Sequence, residues 1–159
     1  MTWLVLYLPL LAALVVLAAI DVDRRVLPNR IVYPLAAWGL VATLLVERGD
    51  VVEHLVAGGG AFLFLYLAAL AHPGGMGMGD VKLAGVLGLY LGSAVIPALL
   101  VAVLSGTLAG IGMMLRDGPA ALKRTLPFGV FLALGALVAI VAGGELLELY
   151  RPWMAVHHK

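Results

Sequence analysis

Long apolar runs, broken by short charged or glycine-rich stretches, set the organisation of the chain. A helix needs about 20 apolar residues to cross a hydrocarbon core roughly 30 Å thick, and six helical runs can be read in order. They cover approximately residues 2–20, 31–46, 51–71, 80–91, 94–115 and 126–149. The fourth run is short. At ~12 residues and ~1.5 Å per residue it reaches only about 18 Å, so it is expected to be an incomplete span, with a thinned bilayer or a water-accessible cavity near Asp80. A tight turn at Gly92-Ser93 is expected to reverse the chain after it.

The interruptions carry the polar chemistry. Segment 21–30 gathers Asp21, Asp23, Arg24, Arg25 and Arg30, and Pro28-Asn29 within it makes the turn that starts the second helix. Segment 74–83 is a glycine-dense loop that delivers Asp80 to the start of the short helix. Gly58-Gly59-Gly60 and the pair Gly106 and Gly110 are expected to let helix backbones approach closely, the usual role of small residues between membrane helices.

Composition agrees with an all-α, polytopic membrane protein built as a single domain over residues 1–159. The chain is 64% hydrophobic and 12% charged, with a mean hydropathy of +1.11, far from a soluble globular domain. A net charge of +1, without a basic stripe interleaved with aromatics, gives no argument for nucleic-acid binding. The absence of cysteine excludes disulfides, iron–sulfur clusters and thiol chemistry. The four histidines do not fall in a metal-binding spacing, so neither a metal nor another cofactor is expected, and His157-His158 reads as a tail end.

Charge also orients the chain. Arg24, Arg25, Arg30, Lys82, Arg116, Lys123 and Arg124 lie on one side and Arg48, Arg151 and Lys159 on the other, which places both aspartate loops in the cytoplasm and both termini outside. The first run lacks the basic start of a signal peptide and is expected to be a retained helix. Trp3 and Trp153 would share the outer interface, while Glu53, His54, Glu145 and Glu148 read as solvated groups near it.

An ionisable residue at the edge of a membrane helix is costly to place, so a functional role is the default reading and its partner the useful question. For Asp80 the partner is a carboxylate at the matching end of the first run, Asp21 or Asp23. Two carboxylates from separate helices are the minimal equipment for splitting a peptide bond with water. The plainer reading of Asp80 is a helix N-cap, which is compatible with catalysis. Lys82 lies two residues on and points to a different helix face, so a direct pair with Asp80 is not expected; a cation snorkelling to the interface is the plain alternative. Met76 and Met78 read as loop packing or substrate contacts.

Together these stretches resemble the type IV prepilin peptidase family, aspartic membrane proteases with a Gly-x-Gly-Asp signature. The family pattern falls on Asp21, on Pro28 and Asn29, and then on Gly77, Gly79, Asp80, Lys82 and Leu83. The resemblance makes Asp21 rather than Asp23 the partner of Asp80 and places Pro28, Asn29, Gly77, Gly79 and Lys82 as supporting residues. It implies the short, peptidase-only branch, because the paired Cys-x-x-Cys motifs linked to methylation in longer members are absent here. The implied substrate is the leader of a type IV prepilin or pseudopilin, a basic cytoplasmic segment followed by a hydrophobic helix.

The dyad would share one proton. If helix one ends at Asp21 and Asp80 opens helix four, their dipoles would leave the proton mainly on Asp21 and make Asp80 the base. A related protease that cuts within membrane helices would hold its aspartates deeper in the apolar runs. The reading from a different class is a small proton- or ion-coupled transporter using the same carboxylates, for which internal repeats or broken helices would be expected.

Overall fold

A computed structural model describes residues 2–46, 48–123 and 126–155. The fold is all-helical, with no strand among the described residues. In chain order the α-helices are α1 (Thr2–Arg24), α2 (Asn29–Val46), α3 (Val51–Ala71), α4 (Met78–Leu91), α5 (Val95–Asp117) and α6 (Phe128–Ala155), with 3-10 turns at Gly92–Ala94 and Pro119–Lys123. Four helical segments are long and apolar enough to cross a membrane: Leu4–Arg24, Asn29–Val46, Val51–Ala71 and Met78–Asp117. The last takes in α4 and α5, and the apolar part of α6 is shorter, Phe128–Gly143.

Apolar side chains cover both the inside and the outside. Leu8, Val15, Leu45, Val56, Leu63, Leu108 and Val141 are exposed on the rim, where a soluble domain would place charge; a hydrocarbon surround removes that requirement. On α1 one face is set by Leu6, Leu10, Leu14 and Leu17, all buried at the four- and three-residue spacing that keeps side chains on one side of a helix. Asp21 comes four residues after Leu17 and continues the same face, 3% exposed. Asp23 is off it and exposed.

The short α4 is the central post of the bundle, with Val81, Leu83, Ala84, Leu87 and Tyr90 fully buried among its neighbours. Its contacts are chiefly with α3 and then with α2 and α6. Protein, rather than a thinned bilayer, covers its flanks.

Side chains from α2 and α3 close the end of α4 near Leu91. The last carbonyls of any helix lack intrahelical partners. Here the Thr43 hydroxyl donates to the Leu89 carbonyl at 3.0 Å and His54 Nδ1 lies 2.8 Å from the same oxygen, a contact that requires the proton on Nδ1. Ser93 N–H donates instead to Glu53 at 2.9 Å, and the Tyr90 hydroxyl donates to the Leu35 carbonyl at 2.9 Å. His54 is therefore buried, not solvated as the sequence suggested, while Glu53 is exposed but engaged. Both have structural partners. Arg48, Glu145 and Glu148 are exposed, and Trp3, Trp153 and His157-His158 have side chains outside the described residues.

Gly58 and Gly88 bring α3 and α4 into backbone contact: a methyl group at Gly88 would come within 2.5 Å of Gly58 and the Ala57 carbonyl. Gly106 faces Phe128 and Phe131, and Gly110 faces Leu126, so the glycine pair on α5 does pack against the start of α6. Those neighbours also fix direction. Gly129 meets Asp21 and Gly143 meets Ala94, so α5 runs back toward the aspartate end after the turn at Gly92 and α6 leaves it again.

Candidate active site

Asp21, Leu27, Gly79, Asp80 and Gly129 gather at one end of the bundle, drawn from α1, the loop after it, α4 and α6. α1 continues one turn past the expected boundary, to Arg24, and stops where Arg25 takes φ 51 and donates its N–H to the Asp21 carbonyl at 2.9 Å. This left-handed residue turns the chain toward Leu27 and Pro28. The Pro28 carbonyl accepts from Ile31 N–H at 3.0 Å, so α2 begins at Asn29, two residues before the sequence expectation.

Asp80 occupies the third position of α4, and the N-cap is Gly77. Its Oδ2 reaches back to accept the Gly77 N–H at 3.2 Å, the carboxylate half of a capping box. Asp80 is therefore not the N-cap itself, the plainer reading of the sequence, but caps the helix from its third position. Gly79 lies against the α1–α2 loop: a methyl group there would come within 2.8 Å of Leu27 Cβ. That close approach brings the Asp80 turn onto the loop that follows Asp21.

Both carboxylates are buried, Asp21 3% and Asp80 8% exposed, and Asp21 is near enough for its charge to act on Asp80. Buried polar atoms are normally hydrogen-bonded. Among the described residues the buried side-chain oxygens without a partner are Asp21 Oδ2 and Asp80 Oδ1. Each aspartate therefore keeps one buried oxygen without a hydrogen bond.

Lys82 does not turn toward Asp80. Its ammonium donates to Asn29 Oδ1 at 3.2 Å and to the Tyr33 hydroxyl at 2.9 Å, and it lies 5.0 Å from the centre of the Tyr33 ring. Lys82 and Asn29 thus tie α4 to the first turns of α2. Met76 is partly buried against the core, while Met78 is exposed. Among the described residues no cluster of three or more potential metal ligands occurs.

Sequence reasoning did not find Gly129. The backbone N–H groups of Gly129 and Val130, at the start of α6, face the Asp21 carboxylate, and a methyl group at Gly129 would lie 2.8 Å from Asp21 Oδ2. The available signal was Pro127 just before a helix start, at the same end as both aspartates. Helix N-termini favour negative charge, and Asp21 faces one on α6 just as Asp80 sits in one on α4.

Residues 8–114 match the type IV leader peptidase family. Curated relatives named prepilin leader peptidase/N-methyltransferase include one from Aeromonas hydrophila, 37% identical over 143 residues that cover 86% of this chain and 49% of the relative. The Bacillus subtilis relative is 30% identical over 141 residues (88% and 56%), and that of Pseudomonas putida is 34% identical over 145 (87% and 50%). The chain spans about half the length of these relatives. No solved structure matches it.

Proposed function

The chain belongs to the type IV leader peptidase family, and from that premise we propose that it hydrolyses the peptide bond after the basic leader of type IV pilin-like precursors. The observation that carries the chemistry is the pair of buried oxygens, Asp21 Oδ2 and Asp80 Oδ1, left without partners at one end of the bundle. Two such carboxylates near one another hold a single proton between them more readily than two charges.

In the proposed reaction one carboxylate takes a proton from water while the other, protonated, hydrogen-bonds to the scissile carbonyl. Water oxygen bonds to the carbonyl carbon and gives a tetrahedral intermediate. A proton then passes to the leaving nitrogen, the C–N bond breaks, and a carboxylic acid and an amine separate. Gly77 N–H donates to Asp80 Oδ2, and the start of α6 packs against the Asp21 carboxylate at Gly129. Both aspartates are first-step participants, and neither needs a cofactor.

The helices are proposed to cross the bilayer six times, α4 doing so inside the protein, with the aspartate end at the cytoplasmic face and both termini outside. The charge asymmetry of the loops supports that orientation. A leader peptide would then meet the dyad at the boundary where its basic segment remains in water and its apolar helix enters lipid. The transporter reading gains nothing from the family match, which is to peptidases.

The test is cleavage of a leader-bearing pilin precursor by the purified chain in nanodiscs, with the product N-terminus read by mass spectrometry. A single cut after the leader supports the proposal, and an intact precursor under conditions where a known leader peptidase cuts it would reject it.

A further inference from the structure

We propose that the groove between α2 and α3, floored by α4, holds one acyl chain of an anionic phospholipid whose phosphate rests on Lys82. The groove encloses about 290 Å³ and is lined by Tyr33 and Ala36 on α2, Gly59 and Phe62 on α3, and Lys82 and Gly85 on α4, among others. Its walls are apolar throughout: Lys82 lines it with its aliphatic stem, and the ammonium sits beyond the end of the groove, held by Asn29 and Tyr33. Tyr33 and Phe62 are exposed on its rim, so it opens sideways, toward the surface covered by apolar side chains.

Two features select the occupant. The first is the lining: Ala36, Gly59 and Gly85 leave room for a single hydrocarbon chain to lie against the helices. Ordered water is disfavoured, because a bound water needs two to four polar partners. The second feature is charge. An ammonium has three N–H donors, and Lys82 directs two at Asn29 and Tyr33, both neutral. One donor and the whole positive charge remain for an anion. Arg30, exposed one residue after Asn29, adds positive potential at the same end. A cation at one end of an otherwise apolar, laterally open slot is complementary to a phosphate ester carrying an acyl chain.

The inference does not depend on peptide cleavage, because its readout is lipid retention. The full chain would be reconstituted in nanodiscs of equal phosphatidylglycerol and phosphatidylcholine, extracted in detergent, and examined by native mass spectrometry. The wild type is expected to retain phosphatidylglycerol over phosphatidylcholine by about fivefold, the scale of one lysine near an anionic surface. Lys82→Arg should keep the preference and Lys82→Met should abolish it. Gly59→Leu should remove the retained lipid, since a side chain at Gly59 projects into open space and meets no atom within 4 Å. If Lys82→Met fails to fold, Gly59→Leu decides alone. Equal retention of both lipids by the wild type would overturn the proposal. So would a preference that survives Lys82→Met, retention that survives Gly59→Leu, or displacement of the lipid by a leader peptide.

Discussion

Gly129 stands so close to Asp21 that a methyl group on it would lie 2.8 Å from Asp21 Oδ2 and 3.3 Å from Leu27 Cδ2. The start of α6 therefore shapes the site from outside the stretch that matches the family, residues 8–114. Gly129→Ala is expected to displace the carboxylate and reduce cleavage by about 10-fold or more, since misplacement of a reacting group by ~1 Å can cost about 100-fold. Thermal unfolding should change little. The comparison of cleavage rate with melting temperature checks this, and a variant that cuts at the wild-type rate would remove the positioning role.

Gly79 makes the corresponding contact on α4. Gly79→Ala would bring its methyl group within 2.8 Å of Leu27 Cβ, and relief of that overlap requires the Asp80 turn and the α1–α2 loop to separate. Cleavage should fall while helical content by circular dichroism stays constant. Combined with Leu27→Ala, which frees the space, part of the activity should return.

The helices were legible because apolar runs of the right length are their direct cause. α3 was read as residues 51–71 and is observed as Val51–Ala71. The ends of α1 and α2 were harder to read, because they depend on Arg25 adopting φ 51 and on the Pro28 carbonyl serving as the first acceptor, neither of which hydropathy encodes. The choice between Asp21 and Asp23 could have been made from periodicity, since Asp21 extends the Leu6, Leu10, Leu14 and Leu17 face. The partners of Lys82 and the approach of Gly129 were not legible. Both join segments whose packing is set by close helix contacts across the bundle, and no local pattern reports which helix end meets which.

Thr43 and His54 define a contrasting class of residue. Both bond to the Leu89 carbonyl at the far end of α4, where they complete a buried helix terminus. Thr43→Val should lower stability by about 1 kcal/mol, the net value of one hydrogen bond, measured by thermal or chemical unfolding in detergent. The cleavage rate of the folded fraction should remain that of the wild type. A selective loss of rate at unchanged stability would show that this end of α4 communicates with the aspartates.

Tyr33 offers a milder test of how α4 is held to α2. Tyr33→Phe keeps the ring beneath the Lys82 ammonium but deletes the hydroxyl that accepts from it at 2.9 Å. A stability loss of no more than about 1 kcal/mol is expected for this exposed site, read by the same unfolding assay. A larger loss would mean that the hydroxyl holds more of the α2–α4 junction than this one contact.

The central claim is that Asp21 and Asp80 together perform the cleavage. Its most direct test is the processing of a leader-bearing precursor by Asp21→Asn, Asp80→Asn and Asp23→Asn, each checked for folding by its melting curve. Processing should be lost in the first two and retained in the third, whose side chain is exposed and off the buried face of α1. Cleavage that persists in folded Asp21→Asn or Asp80→Asn would contradict the two-aspartate account.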